Sequence, residues 1–305
     1  MSRPDGHFAE ERSFPRLSRA QLECRTLPRS RAAHRVGRSS AGWHLSCNPS
    51  WALSSTSSIW PTRVWLVRHG ESAGNLALLK AEAAGAETID IEGRDVDVPL
   101  SELGRGQSRA VGRWYARQAA SERPSVIMSS PYARALQTTE HIARELPGAD
   151  IECLVDERLR EKEFGELNRF TKLGILRRFP EEARRRSELG KFYYRPPGGE
   201  SWCDVALRLR GVLQDLQLSY AGERVLIVAH QVVVLCLRYV IESLGERRLL
   251  EIDSAGDVAN CSITSFKSVT AAGRARLELV EYDFVAPLEE AGEPVTAAPD
   301  PAAIK

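Results

Sequence analysis

The sequence predicts an α/β fold, a three-layer α/β/α sandwich with a mainly parallel central sheet and a small helical lid insert. Short apolar runs, Val64-Trp65-Leu66-Val67, Ser125-Val126-Ile127-Met128 and Val225-Leu226-Ile227-Val228-Ala229, read as strands buried on both faces. Stretches of helical period separate these runs, the order expected when helices cover both faces of a parallel sheet. With 305 residues, 43% of them hydrophobic, the chain is long enough for one large domain with appendages.

The elements follow in order. Residues 1–61 are rich in Arg, Ser and Pro, keep no helix or strand period, and end near Ser54-Ser55-Thr56-Ser57-Ser58, so this extension is expected to be disordered. Its arginines suit an organelle transit peptide, but Glu10, Glu11 and Glu23 count against one, and a start codon placed too far upstream is the alternative. The folded domain is expected to span residues 62–285. Ser101 reads as the N-cap of a helix running to about Ala119, and Ser130 as the cap of another, with Pro131 at its first helical position and a stop at Pro147-Gly148. Ser201-Trp202-Cys203-Asp204 resembles a capping box before the helix of Val205, Leu209, Val212 and Leu216. Late strands are expected around Ser262 to Phe266 and Arg276 to Tyr282, and residues 286–305, rich in Ala, Pro and Glu, read as a mobile tail.

Composition excludes some partners. The 42 basic and 41 acidic residues nearly cancel, which gives no field for nucleic acid or a membrane surface. The longest apolar stretch, residues 225–241, is interrupted by His230, Gln231 and Arg238 and reads as strand, turn and helix instead of a membrane span. Six cysteines without CxxC or zinc-like spacing, and no secretory signal, predict a reduced cytoplasmic protein with small buried thiols. Oligomeric state is open.

Each of the three apolar strands ends in residues able to do chemistry. The first runs into Arg68-His69-Gly70-Glu71-Ser72, the next into Ser129-Ser130-Pro131-Tyr132-Ala133-Arg134, and the last into His230-Gln231. Ligand sites in open parallel sheets lie beyond the carboxyl ends of the strands, so these segments can meet in one crevice. Two guanidinium forks and nearby helix starts suit a phosphate dianion. A neutral imidazole can attack phosphorus and divide one hard step into two easier ones. Gly70 is expected to let a phosphate approach the backbone closely. Ser72 and Ser201 read as helix caps, not nucleophiles.

These residues carry a resemblance. Arg68-His69-Gly70-Glu71-Ser72 with Asn75, Ser129-Ser130-Pro131 with Arg134-Ala135 and Gln137-Thr138, Leu159-Arg160-Glu161 with Phe164-Gly165, and Val228-Ala229-His230 resemble the histidine phosphatase superfamily, also called phosphoglycerate mutase-like, over about residues 63–266. The resemblance implies that His69 is the phosphorylated nucleophile and that Arg68, Arg134, Asn75 and His230 bind the phosphoryl group. It further implies that Glu161 is the general acid and base, with Glu157 and Glu163 as neighbouring competitors for the role. Catalytic residues are thus expected at His69, Glu161 and His230, with neither metal nor cofactor.

Phosphoglycerate mutases of this superfamily carry tryptophan before the asparagine of the first motif, where this chain has Gly74. Together with Pro197-Gly198-Gly199-Glu200-Ser201 and the Leu-x-Glu-x-x-Phe-Gly run, this favours phosphomonoester hydrolysis over mutase action. A non-catalytic phosphate-binding scaffold is the reading from another class, opposed by the retention of every motif. Gln231 stands where the family usually has glycine, and either narrows the pocket or adds an amide donor. The segment 168–197 holds Lys172, Arg177, Arg178, Arg184, Arg185, Arg186, Lys191 and Arg195 with Tyr193 and Tyr194. It reads either as a solvated charged helix or as a basic lid that selects a small phosphorylated substrate bearing a second anionic group.

Overall fold

The computed structural model describes residues 59–148, 151–271 and 273–298. The expected disordered extension therefore lies outside the described residues apart from its last three positions, and so do Cys24 and Cys47. A six-stranded sheet forms the centre, in the order β3-β2-β4-β1-β5-β6. Its strands are β1 (Arg63–Arg68), β2 (Val126–Ser129), β3 (Glu152–Val155), β4 (Arg224–Ala229), β5 (Ile263–Ala271) and β6 (Arg274–Phe284). The first four are mutually parallel, β5 runs antiparallel to β1, and β6 antiparallel to β5.

Register and side-chain period explain the layers. β1 pairs with β4 from Arg63↔Arg224 to Arg68↔Ala229, so both strands finish at the same edge, and β2 ends beside them with Ser129↔Val228. Alternate residues then serve opposite cores. Val64, Leu66, Val225 and Ile227 pack beneath α6 (Trp202–Ser219) and α7 (Gln231–Ile241), whereas Trp65, Val67, Leu226 and Val228 pack beneath α2 (Glu102–Arg117) and α3 (Ala133–Glu145). Because both faces are covered, the strands read as continuous apolar runs.

The remaining helices are α1 (Ala73–Ala83), α4 (Lys172–Arg178), α5 (Pro180–Tyr193), α8 (Glu246–Ala255) and α9 (Ala286–Ala291). The expected lid insert consists of α4 and α5, with Leu167, Ile175 and Tyr194 forming a small core of their own. Gly190 breaks α5 with φ of 78°, a conformation that glycine tolerates. No helix among the described residues is long and apolar enough to cross a membrane.

Several local expectations need correction. Ser130 does not cap α3; the N-cap position falls on Tyr132, and Ser130 Oγ accepts from Tyr132 N at 3.3 Å in the turn before the helix. Ser72, Ser101 and Ser201 do cap their helices, Ser72 and Ser201 through capping boxes closed by Asn75 and Asp204. β3 carries no buried alternation, being an edge strand, and the sequence showed no run there. Cys236 and Cys261 are buried thiols, but Cys153 is exposed and Cys203 only half-buried.

The expectation of a mobile tail after Phe284 does not hold for residues 286–298. α9 sinks Leu288 completely into the core beneath α2, Gly292 turns the chain with φ of 69°, and the segment beyond it is hydrogen-bonded across the carboxyl edge of the sheet. Residues 299–305 lie outside the described part of the chain.

Candidate active site

β1 delivers Arg68 and His69 to the carboxyl edge of the sheet, β4 delivers His230, and the first turn of α3 delivers Arg134. All four side chains are buried, and the His69 and His230 rings lie 5.1 Å apart, edge to face. Asn75, in the first turn of α1, and Glu161, in the loop after β3, are buried as well. The adjacent Glu157 is exposed, and Glu163 is exposed on the outer side of Tyr132, whose hydroxyl donates to it at 3.0 Å. Burial thus separates Glu161 from both competitors.

The tautomer of His69 follows from its two partners. Nδ1 lies 2.7 Å from the carbonyl oxygen of Gly70, which can only accept, so Nδ1 carries the hydrogen. Nε2 receives Arg134 Nε–H at 3.3 Å, and a guanidinium can only donate, so Nε2 presents its lone pair. The backbone at His69 is also fixed, since His69 N donates to Ala229 O and Asn260 Nδ2 donates to His69 O at 3.0 Å. On the other side, Ser130 Oγ is 2.8 Å from His230 Nε2, and the Tyr132 ring meets the His230 ring at 5.1 Å.

Arg134 is held by a residue to which the sequence assigned no role. Its two terminal nitrogens grip the Asp95 carboxylate, the nearer contact being 3.1 Å, and Nη1 also donates to Asp95 O at 2.8 Å. Asp95 belongs to the acidic cluster after α1, where nothing in the sequence marks it apart from Asp90, Glu92 or Asp97. Asn260 and Gln107 were missed for a similar reason: an isolated amide in a loop or on a helix makes no motif. Gln107 Oε1 accepts from Glu71 N at 2.9 Å, which steadies the turn after His69.

Gly70 has a different use from the expected one. A Cβ there would sit 2.4 Å from Gly104 O, so its bare face receives the first turn of α2, not a phosphate. Gly104 in return would place a Cβ 2.0 Å from Glu71 O. The two glycines let helix and loop backbone touch, and Ser101 bonds Glu71 through both N–H and hydroxyl.

Arg68 donates to Val258 O at 2.6 Å and, through Nη2, to Ala298 O at 2.5 Å. Asn75 Nδ2 reaches the same Ala298 oxygen at 3.3 Å, while its Oδ1 is used by Ser72 N and Oγ. Two donors from different elements therefore converge on one oxygen.

Beside this centre lies a narrow pocket, partly open to solvent, between the loop after Glu161, the start of α7 and the lid. Lys162, Arg186 and Lys191 line it over an apolar floor that includes Phe164 and Trp202. Lys162 is 7% exposed, and its ammonium lies 3.9 Å from the centre of the Phe164 ring. Burial pulls its pKa down to about 8, against the opposing pull of Glu161. Burial likewise lowers the pKa of Arg186, and Lys191 pairs with Asp253. The lid's other arginines face away and are neutralised, Arg185 by Glu182, Arg184 by Glu181 and Glu188, Arg177 and Arg178 by Glu87, and Arg195 by Asp204. Gln231 lines the same pocket and donates its amide to Asp257 at 2.7 Å, so it both narrows the space and ties α7 to the loop after α8.

Comparison with known proteins bears on the family and the fold. The model of the histidine phosphatase superfamily (branch 1) matches residues 64–281. A probable phosphoglycerate mutase GpmB of Photorhabdus laumondii is 33% identical over 66% of this chain and 83% of its own. Among solved structures, a mycobacterial glucosyl-3-phosphoglycerate phosphatase in complex with VO3 superposes with a TM-score of 0.56 at 25% identity, over 73% of this chain and 99% of its own. The α-ribazole phosphatase of Shigella flexneri, at 16% identity, shares the fold, with a TM-score of 0.56 over 73% of this chain and 98% of its own.

Proposed function

Because this chain belongs to the histidine phosphatase superfamily, we propose that it hydrolyses phosphomonoesters through a phosphohistidine formed on His69. The observation that carries the reading is the tautomer of His69, whose Nδ1–H is held by Gly70 O while Nε2 keeps its lone pair, directed at Arg134 Nε–H. Relatives include both mutase-like proteins and phosphatases, and Gly74 before Asn75 favours the hydrolytic branch.

In the first step Nε2 forms a bond to phosphorus as the ester P–O bond breaks, and the leaving oxygen takes the proton of the Glu161 carboxyl. In the second, the Glu161 carboxylate takes a proton from water, whose oxygen bonds to phosphorus as the P–N bond breaks. Inorganic phosphate leaves and both residues return to their starting forms. Arg68, Arg134, Asn75 and His230 bind the equatorial oxygens, where negative charge concentrates. Asp95 orients Arg134, so the guanidinium meets the substrate with its direction already set.

The leaving group belongs in the pocket of Lys162, Arg186 and Lys191, which suits an organic group with a second anionic substituent. Charge reversal separates the lid arginines: Arg186→Glu should raise KM for a bisphosphate about tenfold or more relative to a neutral monoester, whereas Arg185→Glu, already paired on the outer face, should change neither. Equal effects of the two substitutions would remove the subsite.

Hydrolysis itself is tested by trapping acid-labile phosphohistidine and by following an aryl phosphate in excess chelator. His69→Ala should lose both the trapped label and turnover. An active His69→Ala enzyme would refute the mechanism, and phosphoglycerate isomerisation stimulated by a bisphosphoglycerate would restore mutase action.

A further inference from the structure

The two donors assigned to the substrate phosphate, Arg68 and Asn75, are engaged by a backbone carbonyl of this same chain. We infer that residues 293–298 form an internal strap occupying part of the phosphate site, and that phosphate and strap exclude one another. The inference rests on the phosphate-binding role of Arg68 and Asn75 proposed above.

The strap is seated by polar contacts along its length. Gln107 Nε2 donates to Pro294 O at 2.9 Å and to Thr296 Oγ1 at 3.0 Å. Asn260 N donates to Thr296 O at 2.8 Å, and Thr296 Oγ1 donates to Asn260 Oδ1 at 3.0 Å. The last link is Ala298 O, shared by Arg68 Nη2 and Asn75 Nδ2. Every partner belongs to the site: Gln107 also holds Glu71 N, and Asn260 also holds His69 O. The seat therefore meets the strap at alternate residues, Pro294, Thr296 and Ala298.

The same contacts make it displaceable. Val295 is 44% exposed and Ala298 is the strap's one buried side chain, so little apolar surface holds it down. Segments with few buried apolar contacts and mostly polar ties open at low cost. A phosphate dianion adds to the hydrogen bond a full ion-pair attraction for the Arg68 guanidinium that a neutral carbonyl lacks, and it can accept two parallel N–H bonds. Phosphate thus competes for Arg68 and Asn75 at the expense of the seated state. When only a fraction of molecules is open, apparent affinity falls by that fraction. A strap closed in nine molecules of ten would weaken phosphate binding about tenfold.

Two measurements test this without turnover. Inorganic phosphate is titrated by calorimetry against the full chain and against a chain shortened to residues 1–293, which keeps α9 and its Gly292 turn; thermal melting of each checks that it is folded. The shortened chain should bind phosphate about tenfold more tightly. In the full chain, hydrogen exchange at the Asn260 amide, whose N–H donates to Thr296 O in the seated state, should accelerate when phosphate is added. Equal phosphate affinity in both chains, or exchange that is unchanged or slowed by phosphate, would overturn the strap. Failure of phosphate to bind even the shortened chain would instead overturn the assignment of Arg68 and Asn75, and the inference with it.

Discussion

Replacing Gly104 with alanine sets two ordinary effects against each other. Gly104 lies in the first turn of α2, and on helix propensity alone alanine would add about 1 kcal/mol of stability. The new Cβ, however, would stand 2.0 Å from Glu71 O, against a floor of about 3.0 Å for real contacts, so helix and loop must part by about 1 Å. Both contacts that Ser101 makes with Glu71 lie directly in that gap. Overpacking costs about 1–3 kcal/mol and each weakened hydrogen bond about 1 kcal/mol, so the clash outweighs propensity by about 2 kcal/mol. The strained loop carries His69 two residues earlier, and a displacement of about 1 Å at reacting groups costs about a hundredfold in rate. Urea unfolding followed by tryptophan fluorescence should move its midpoint down by about 1 M, with kcat for an aryl phosphate falling about a hundredfold. A Gly104→Ala protein that melts at or above the wild-type midpoint with full activity would show that the backbone contact between α2 and the turn after His69 is not a constraint.

Two further outcomes follow from the site. Glu161→Gln should lower kcat about 10²–10⁴-fold, most severely for alkyl phosphates, whose leaving oxygen needs the proton, whereas Glu163→Gln should stay within about threefold; equal losses would shift the acid role away from Glu161. The folded pKa of Lys162, about 8, lies below its unfolded value, so its charge costs stability in full below pH 8 and the cost fades as pH rises toward the unfolded pKa. Lys162→Met should therefore melt higher than wild type at pH 7. In the wild type, KM for a bisphosphate should rise as pH passes 8, and a pH-independent KM would remove Lys162 from the subsite.

The sheet was legible because burial on both faces writes itself into sequence as unbroken apolar runs, and β1, β2 and β4 are such runs. β3 sits at the edge, with Glu152 and Cys153 facing solvent, and leaves no such trace. Caps were legible where a side chain closes its own helix, as at Ser72, Ser101 and Ser201. They were misread at Ser130, whose hydroxyl turns to His230. His69, Arg68, Arg134, His230, Asn75 and Glu161 were singled out by the family resemblance their motifs carry, and all six prove to be buried. Asp95, Gln107 and Asn260 act on those residues from elsewhere in the chain, and only the fold brings them near. The strap was least visible, since it is held mainly through its carbonyl oxygens, which every sequence possesses.

The antiparallel placement of β5 beside β1 has a consequence for the order of assembly. The segment leading into β5 arrives where β1 ends, and it supplies Val258 O to Arg68, Asn260 Nδ2 to His69 O and Cys261 N to Arg68 O. Asn260 follows His69 by 191 positions. At a synthesis rate of about 5–20 residues per second, His69 emerges from the ribosome roughly 10–40 s before the residue that fixes its backbone. Such distant pairings form late because loop closure must precede any reward. The growing chain thus carries the His69 imidazole long before it owns the cradle that gives that imidazole direction, and its last fifth, which contains none of the motifs, decides when the site comes into being.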